Sequence, residues 1–503
     1  MLLIKAERII ISHYHKFVNM PRKKEKFYIT TPIYYVNDKP HLGHAYTTLA
    51  ADILARYYRD KLGKDKVFFL TGTDEHGTKV AQAAAKEGKE PQVFCDEVSA
   101  LYKKAWVTLG IEYDYFVRTT DKRHLESVNK FMQKLKDNKA VYEDKYEGLY
   151  CEGCEKFMTE KDLVDGKCPD HKTAPIKLSE KNYFFKLNNY IDKVKELIEK
   201  DEIKILPAER KNEVLSLINQ GLEDFSVSRE KVKWGIPLVF EKKQVVYVWV
   251  EALQNYISAI GYGDNEKEFK KWWPADLHLM AKDILKFHAV YWPALLLAVG
   301  EEPPKEEFIH GFFTINNQKM SKSLGNVLDP NSLVAEYGMD AARYLLISQF
   351  PFGADGDINE VRFKEKYNAD LANNLGNLTA RVLNMIEKYC DGKIPQNLMN
   401  PKSFEKVSAL IEKYSFDQAL AEILNVVTWA NQTIDKNEPW KLAKSPEKKD
   451  KERLFTLLSE LASLLCELAG AIKPFMPGTA EKITNSLVCD KITKGEALFP
   501  RIN

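Results

Sequence analysis

The chain has 503 residues, 45% of them hydrophobic, and carries 74 Lys and Arg against 72 Asp and Glu, a net charge of +2. That is material for about three domains with buried cores, and it excludes both a disordered chain and one that grips nucleic acid through a global positive field. Seven cysteines is an odd number, and three of them cluster with a histidine, so a reducing compartment is expected rather than a disulfide framework. The cytoplasm is the expected location.

Residues 1–26 read as an N-terminal extension. Met1-Leu-Leu-Ile4 is apolar, but Lys5, Glu7 and Arg8 interrupt it and no small-residue cleavage site follows, so a tail or an upstream start before Met20 outweighs a transit peptide. No apolar run is read as long enough to span a bilayer, and no membrane partner is expected. The stretch from Tyr28 to His44 predicts a short strand, a sharp turn at Asn37 to Pro40, and a helix with Pro40 at its first position. The helix continues through Leu49, Ile53, Leu54 and Tyr57 toward Gly63. His41 and His44 then share one face of its first turn. Free N–H groups there suit phosphate, the two imidazoles can donate to phosphate oxygens, and Gly43 lets a planar ring come close. A lone H-x-x-H would read as a polar cap with incidental histidines.

Lys66-Val-Phe-Phe-Leu-Thr-Gly-Thr-Asp74 has the continuous apolar run of a buried parallel strand and ends in a polar cluster. Strand, helix, strand is a doubly wound pattern, whose ligands bind beyond the carboxyl ends of the strands. Asp74 is therefore placed to hold an ammonium group, or else caps a helix over residues 78–86. Helices are predicted over residues 93–109 and 122–138.

The character changes from Tyr142. Cys151-x-x-Cys154 and Cys168-x-x-His171 are thirteen residues apart, and each half is a tight turn able to point two ligands at one ion. Three thiolates and an imidazole make a closed tetrahedral set, which predicts one structural Zn²⁺; a redox C-x-x-C lacks a thioredoxin-like surrounding. Residues 188–226 read as helical and charged. Arg229, in Ser228-Arg-Glu-Lys, could face a carboxylate or phosphate, or lie on a solvated face.

Val245 to Tyr256 predicts a strand breaking into a helix with Trp249, Ala252, Leu253 and Tyr256 near one face, a stripe that would pack a core or line a pocket. Residues 276–283 make a short strand ending in charge at Asp283, and residues 284–297 a helix with Phe287, His288 and Trp292. The last strand is read over residues 307–314. Lys319-Met-Ser321-Lys322-Ser323 then forms a loop whose lysines can close on a polyphosphate. From Asn331 the pattern is helical to the end. Asn377 and Arg381 lie four apart on one helix, and Trp440 follows Pro439 at the start of another; they form a surface pair and a packing ring, or they read unstacked RNA bases.

HLGH and KMSKS, in that order and separation, resemble the signature of class I aminoacyl-tRNA synthetases. With Thr30-Thr-Pro-Ile-Tyr-Tyr-Val-Asn37, FLTGTDEHGT, the cysteine–histidine knuckle, WGIP, VYVWVEAL, AKDILKFH, HGFFTINNQKMSKSLGN and Asn437-Glu-Pro-Trp440, the resemblance is to the methionyl-tRNA synthetases and runs from about residue 26 to residue 503. It implies a Rossmann-like α/β catalytic domain with a doubly wound parallel sheet, split by a zinc-knuckle insertion and followed by an all-α bundle. The expected bounds are 27–141 and 227–330 for the catalytic halves, 142–226 for the insertion with its knuckle at about 146–180, 331–375 for a linking helical segment, and 376–503 for the anticodon-binding bundle.

The resemblance further implies activation of L-methionine by Mg²⁺-ATP and transfer to tRNA(Met). Ile33, Tyr35, Asp74, Trp249, Ala252, Leu253, Tyr256, Phe287, His288 and Trp292 would bind methionine, Asp74 through its ammonium. His41, Gly43, His44, Lys319, Ser321 and Lys322 would bind ATP, with Arg229 and Asp283 joining the histidines and lysines in catalysis. Cys151, Cys154, Cys168 and His171 would hold zinc, and Asn377, Arg381 and Trp440 would read the anticodon. The His171 ligand departs from four-cysteine versions of the knuckle, and a monomer is expected because no C-terminal dimerisation module is seen. Two rivals stay open: a nucleotidyltransferase sharing H-x-G-H, and a catalytically silent tRNA-binding protein that kept the fold.

Overall fold

The computed structural model describes residues 25–151, 156–158, 160, 163–169, 172–315, 318–319, 328–395 and 404–502. Its centre is a six-stranded sheet. Strands β1 (Phe27–Tyr35), β2 (Val67–Asp74) and β3 (Tyr115–Arg118) come from the first part of the chain. An antiparallel sheet follows, built on β4 (Val141–Cys151), β5 (Lys156–Met158) and β6 (Ile176–Phe185). Next come β7 (Lys204–Leu206), the short β8 (Phe225–Ser226), β9 (Ser228–Arg229) and β10 (Pro237–Leu238), and β11 (Glu241–Val246). Two further strands, β12 (Leu277–Ala281) and β13 (Glu306–His310), return to the centre. The central order is β3-β2-β1-β12-β13-β7, and every pairing in it is parallel.

Strand order turns outward in both directions from β1 and β12, so the switch point, where such sheets bind ligands, lies between the carboxyl ends of those two strands. The alternation of side chains divides the core in two. Phe27, Ile29, Leu277, Leu279 and Phe308 face helix Leu42–Leu62, in a core continuous with the C-terminal helices. Tyr28, Leu70, Met280 and Ile309 face the helices of residues 122–137, 248–258 and 287–298.

Pro32 sits within β1 and cannot donate to a ladder. The register with β2 slips by one residue between Thr30 and Ile33, a bulge that re-aims the strand's end beside the switch point. Gly72 answers a different constraint, since a Cβ there would lie 2.0 Å from the Val117 carbonyl oxygen of β3.

Several sequence expectations change. Pro40 precedes the helix rather than opening it, because His41 is the N-cap and Leu42 the first helical residue. The charged stretch 188–226 hides β7, an edge strand of the main sheet paired with β13. Residues 307–314 are two strands, because β13 ends at His310 and β14 (Phe313–Ile315) joins a small separate sheet with β15 (Gln318–Lys319) and β16 (Gly356–Ile358). β16 also interrupts the helical run from Asn331. The segment 284–297 is a π-turn, Phe287–Tyr291, leading into helix Trp292–Ala298. Finally, helix Lys448–Ile472 contains an 18-residue window of mean hydropathy 1.6, long and apolar enough to cross a bilayer, contrary to the sequence reading, and 61% of that window is buried inside the protein.

A buried ion pair helps tie the helix after β1 to the C-terminal helices. Arg343, fully buried, meets Asp52 of helix Leu42–Leu62 at 2.6 Å and also donates to the carbonyls of Pro474 and Phe475 at 3.0 and 2.8 Å.

Candidate active site

The helix after β1 starts at the switch point, and its cap is made by the two histidines. His41 Nδ1 accepts from the Gly43 N–H at 3.0 Å. His44 Nδ1 accepts from the His41 N–H at 3.4 Å and lies 3.3 Å from the Tyr102 hydroxyl. With both Nδ1 atoms accepting, each ring must carry its proton on Nε2. The rings stack at 3.7 Å. Burial lowers His41 to about 4 and holds His44 well below the ordinary histidine value, so the pair offers two neutral N–H donors, not two charges.

Asp74 ends β2 opposite Tyr35 of β1 and is buried, and its carbonyl accepts from the Val36 N–H at 3.0 Å. The neighbouring helix starts from Gly77, so Asp74 is not its cap. Asp283 follows the end of β12 in the single turn Lys282–Ile284.

The aromatic residues on the far side of the switch point come together. Trp249 stacks on Phe287 at 4.3 Å. Tyr256 and Trp292 rings are 6.2 Å apart. His288 Nδ1 lies 3.0 Å from the Ile284 carbonyl, which can only accept; the ring proton is therefore on Nδ1, and the Tyr256 hydroxyl donates to Nε2 at 2.8 Å. Ile33 and Tyr35 pack on the same core, and Ala252 and Leu253 are buried beside it.

Arg229 does not lie on a solvated face. It is 4% exposed, its guanidinium sits 3.8 Å over the Tyr247 ring, and it donates to Ser226 Oγ at 2.7 Å and to the Ser228 carbonyl at 2.8 Å. It shares a small cavity with His76, Gly77, Tyr150 and Trp234. Lys319 has its backbone in β15, paired with Thr314; Ser321 and Lys322 lie outside the described residues.

Of the metal-ligand candidates, Cys154 and His171 also lie outside them. Cys151 and Cys168 are 1% and 0% exposed, share one small buried cluster with Met158, and are not disulfide-bonded. A tight turn with Asp165 and Gly166 at positive φ joins Val164 to Lys167 just before Cys168. Two buried thiols in one cluster are the donor type a structural zinc takes. Among the described residues no group of three or more metal-ligating side chains occurs.

In the bundle, Asn377 Nδ2 and Arg381 Nη1 both donate to Asn431 Oδ1, each at 3.3 Å, and Arg381 also pairs with Asp435. Trp440 is 38% exposed at the start of helix Pro439–Lys444 and Trp429 is 47% exposed, so two aromatic surfaces are presented outward.

Residues 27–175 and 171–383 match the family described as tRNA synthetases class I (M). The chain is 45% identical to a methionine–tRNA ligase of Caldanaerobacter subterraneus, with 95% of this chain and 79% of the relative covered. It is 46% identical to one of Thermotoga maritima, with 91% and 74% covered. Among solved structures it is similar to Mycobacterium tuberculosis methionyl-tRNA synthetase in complex with methionyl-adenylate, at TM-score 0.88 and 37% identity, with 95% and 99% of the two chains covered. The chain belongs to the methionine-specific class I tRNA synthetases.

This synthetase carries a buried network that sequence reading missed. Glu251, 0% exposed, receives His76 Nδ1 at 2.8 Å and His124 Nε2 at 3.1 Å. Its helix bears Trp249, Ala252 and Leu253, whereas His76 follows Asp74 by two residues, so the network fixes the aromatic pocket to the end of β2. Glu75 does the same toward β3 through a bidentate bond to Arg118 at 2.7 and 2.9 Å. A signal was present: Glu251 is the sole charge in the apolar run Val245 to Leu253, and a carboxylate so placed needs partners.

The synthetase should also lose stability well above the carboxylate range. His41, His44, His278, His288 and His310 are all held below their ordinary 6.5 by burial. Such a group binds its proton in the unfolded chain before the folded one, so stability is full above pH 6.5 and falls as pH drops toward 4. Glu307, pushed up to about 8 by burial, acts in the opposite sense for one proton. The others leave a steep net loss, about 1.4 kcal/mol per pH unit for each uncompensated histidine. Urea unfolding at pH 7.5 and 5.5 checks this; equal stability at the two would contradict it.

Proposed function

We propose that this synthetase joins L-methionine to tRNA(Met) in two steps at the carboxyl end of its central sheet. In the first, a methionine carboxylate oxygen attacks the α-phosphorus of Mg²⁺-ATP and pyrophosphate leaves. In the second, a hydroxyl of the tRNA's terminal ribose attacks the activated carbonyl and AMP leaves. No protein nucleophile takes part, so the protein's contribution is positioning and charge stabilisation.

The observation that carries this reading is the meeting, at one switch point, of two neutral Nε2–H donors, a buried carboxylate and an aromatic pocket. His41 and His44, with the Gly43 backbone, serve the phosphates of ATP from one side; Lys319, Ser321 and Lys322 serve them from the other, and Arg229 and Asp283 assist. Asp74 holds the methionine ammonium. Ile33, Tyr35, Trp249, Ala252, Leu253, Tyr256, Phe287, His288 and Trp292 surround the side chain. Because the Tyr256 proton is committed to His288, the phenol turns only lone pairs and ring surface toward a thioether, which donates nothing itself. Formation of methionyl-tRNA by the purified protein, in a reaction dependent on both ATP and tRNA(Met), tests the whole sequence.

Cys151, Cys154, Cys168 and His171 hold a structural zinc within the 142–226 insertion. Zinc there supplies cross-linking of two turns and no chemistry to the reaction. Cys168→Ser should abolish the one equivalent of zinc found by elemental analysis and lower the thermal midpoint of unfolding. Full zinc content in that variant would contradict the assignment.

Residues 376–503 read the anticodon through Asn377, Arg381 and Trp440. Asn431 holds the first two side by side, which favours edge contacts, and the exposed Trp440 ring suits base stacking, worth about 1–3 kcal/mol. Trp440→Ala should raise the KM for tRNA about tenfold or more and leave pyrophosphate exchange unchanged. Equal effects on both reactions, or none on charging, would count against it.

A further inference from the structure

Across the middle of the parallel sheet, three polar side chains form a row. Thr30 of β1 pairs with His278 of β12, and His278 with Glu307 of β13. Directly paired residues put their side chains on one face, here the face that carries the aromatic pocket. All three are 0% exposed. Thr30 Oγ1 lies 2.7 Å from His278 Nδ1. Beyond that bond the row breaks: His278 Nε2 and both carboxyl oxygens of Glu307 have no hydrogen-bond partner among the described residues.

Buried polar atoms in native interiors are paired, and where protein does not pair them an ordered water does, typically bridging two or more such groups. Neighbouring strands stand about 4.8 Å apart, and a water that spans two adjacent side-chain ends fits a step of that size. Burial pushes Glu307 up to about 8 and holds His278 far below the ordinary histidine range. At neutral pH both are uncharged, and each offers one donor and one acceptor.

One pocket residue rests on this row. The Tyr256 ring lies 4.3 Å from the His278 ring, tilted by 31°. Its hydroxyl donates to His288, and its carbonyl accepts from the Tyr28 hydroxyl at 2.6 Å. The plane of His278 is thus the floor under Tyr256, and Thr30 holds only one edge of that floor.

We propose that Glu307, through a water on His278 Nε2, is a positioning residue that fixes His278 and so holds Tyr256 in the orientation the methionine side chain requires. The inference rests on the pocket reading given under Proposed function. It makes or breaks no covalent bond, and its effect falls on methionine alone, because the row reaches the site through Tyr256, which is assigned to the methionine side chain.

The test is methionine-dependent pyrophosphate exchange by wild type, Glu307→Leu and Glu307→Gln. Leucine removes the polar end and should raise the methionine KM about fivefold, the worth of one hydrogen bond, with kcat and the ATP KM unchanged and a melting temperature no lower than wild type. Glutamine keeps a donor and an acceptor and should return the methionine KM to within about twofold. A folded leucine variant with wild-type methionine KM overturns the proposal, as does a glutamine variant as impaired as leucine. If the leucine variant does not fold, a crystal structure of the wild type decides: density for a water between His278 Nε2 and Glu307 supports it, and clear density without one overturns it. Wild type inert with methionine would instead remove the pocket reading itself, and that result is read without any variant.

Discussion

His44→Ala should lower methionine-dependent pyrophosphate exchange by about two to three orders of magnitude, the usual cost of losing one preorganised donor at a developing charge, while methionine binding stays within about twofold. The reasoning starts at the cap. His44 Nδ1 is taken by the His41 N–H, which leaves its Nε2–H as a donor that neither ring rotation nor protonation needs to create. Because burial keeps both rings neutral, the donors persist across the working pH range, and the exchange rate should show no inflection near pH 6.5 from either ring. The variant's melting temperature must be followed, since His44 also packs on Tyr34 at 4.8 Å. A folded variant within about tenfold of wild type would show that the histidine pair is a cap and nothing more.

Asp74→Asn should raise the methionine KM about 10²–10³-fold and leave the ATP KM unchanged. Removing one member of a desolvated charge pair costs about 2–5 kcal/mol, and Asp74 is only 8% exposed. The change is isosteric, and the backbone bond from Val36 to the Asp74 carbonyl survives it, so the strand's end should keep its place. A rise of less than about fivefold would move the ammonium site elsewhere.

The parts of this protein that were legible in its sequence are those written locally. HLGH needs only a strand, a turn and a helix start, and only that start was misread, by two residues, because a proline before an N-cap and a proline at the first helical residue look alike until the cap bond from Gly43 to His41 is seen. Asp74 at the end of an apolar run, the strand-to-helix break before Trp249 and the helical C-terminal region were likewise visible. β7 was not. Three residues at a sheet edge, Lys204 to Leu206, are too short to show a period of two, and the charged helices on either side dominate the pattern. Nor were the polar contacts that join distant elements. Glu251 meets His76 and His124 across separations of 175 and 127 residues, Asn431 meets Asn377 and Arg381 across about fifty, and Glu307 faces His278 only through strand register. Arg229 shows the limit most plainly: its charge left a carboxylate, a phosphate or a solvated face open, and did not show the Tyr247 ring beneath it or the bonds to Ser226 and Ser228.

The central claim is that the switch point activates methionine. ATP–pyrophosphate exchange measured with each of the twenty amino acids, at saturating Mg²⁺-ATP, tests it most directly. Exchange with methionine alone is the predicted result. Exchange with none, in folded protein supplied with zinc, would contradict it and leave a silent tRNA-binding protein; exchange with a different amino acid would contradict the pocket.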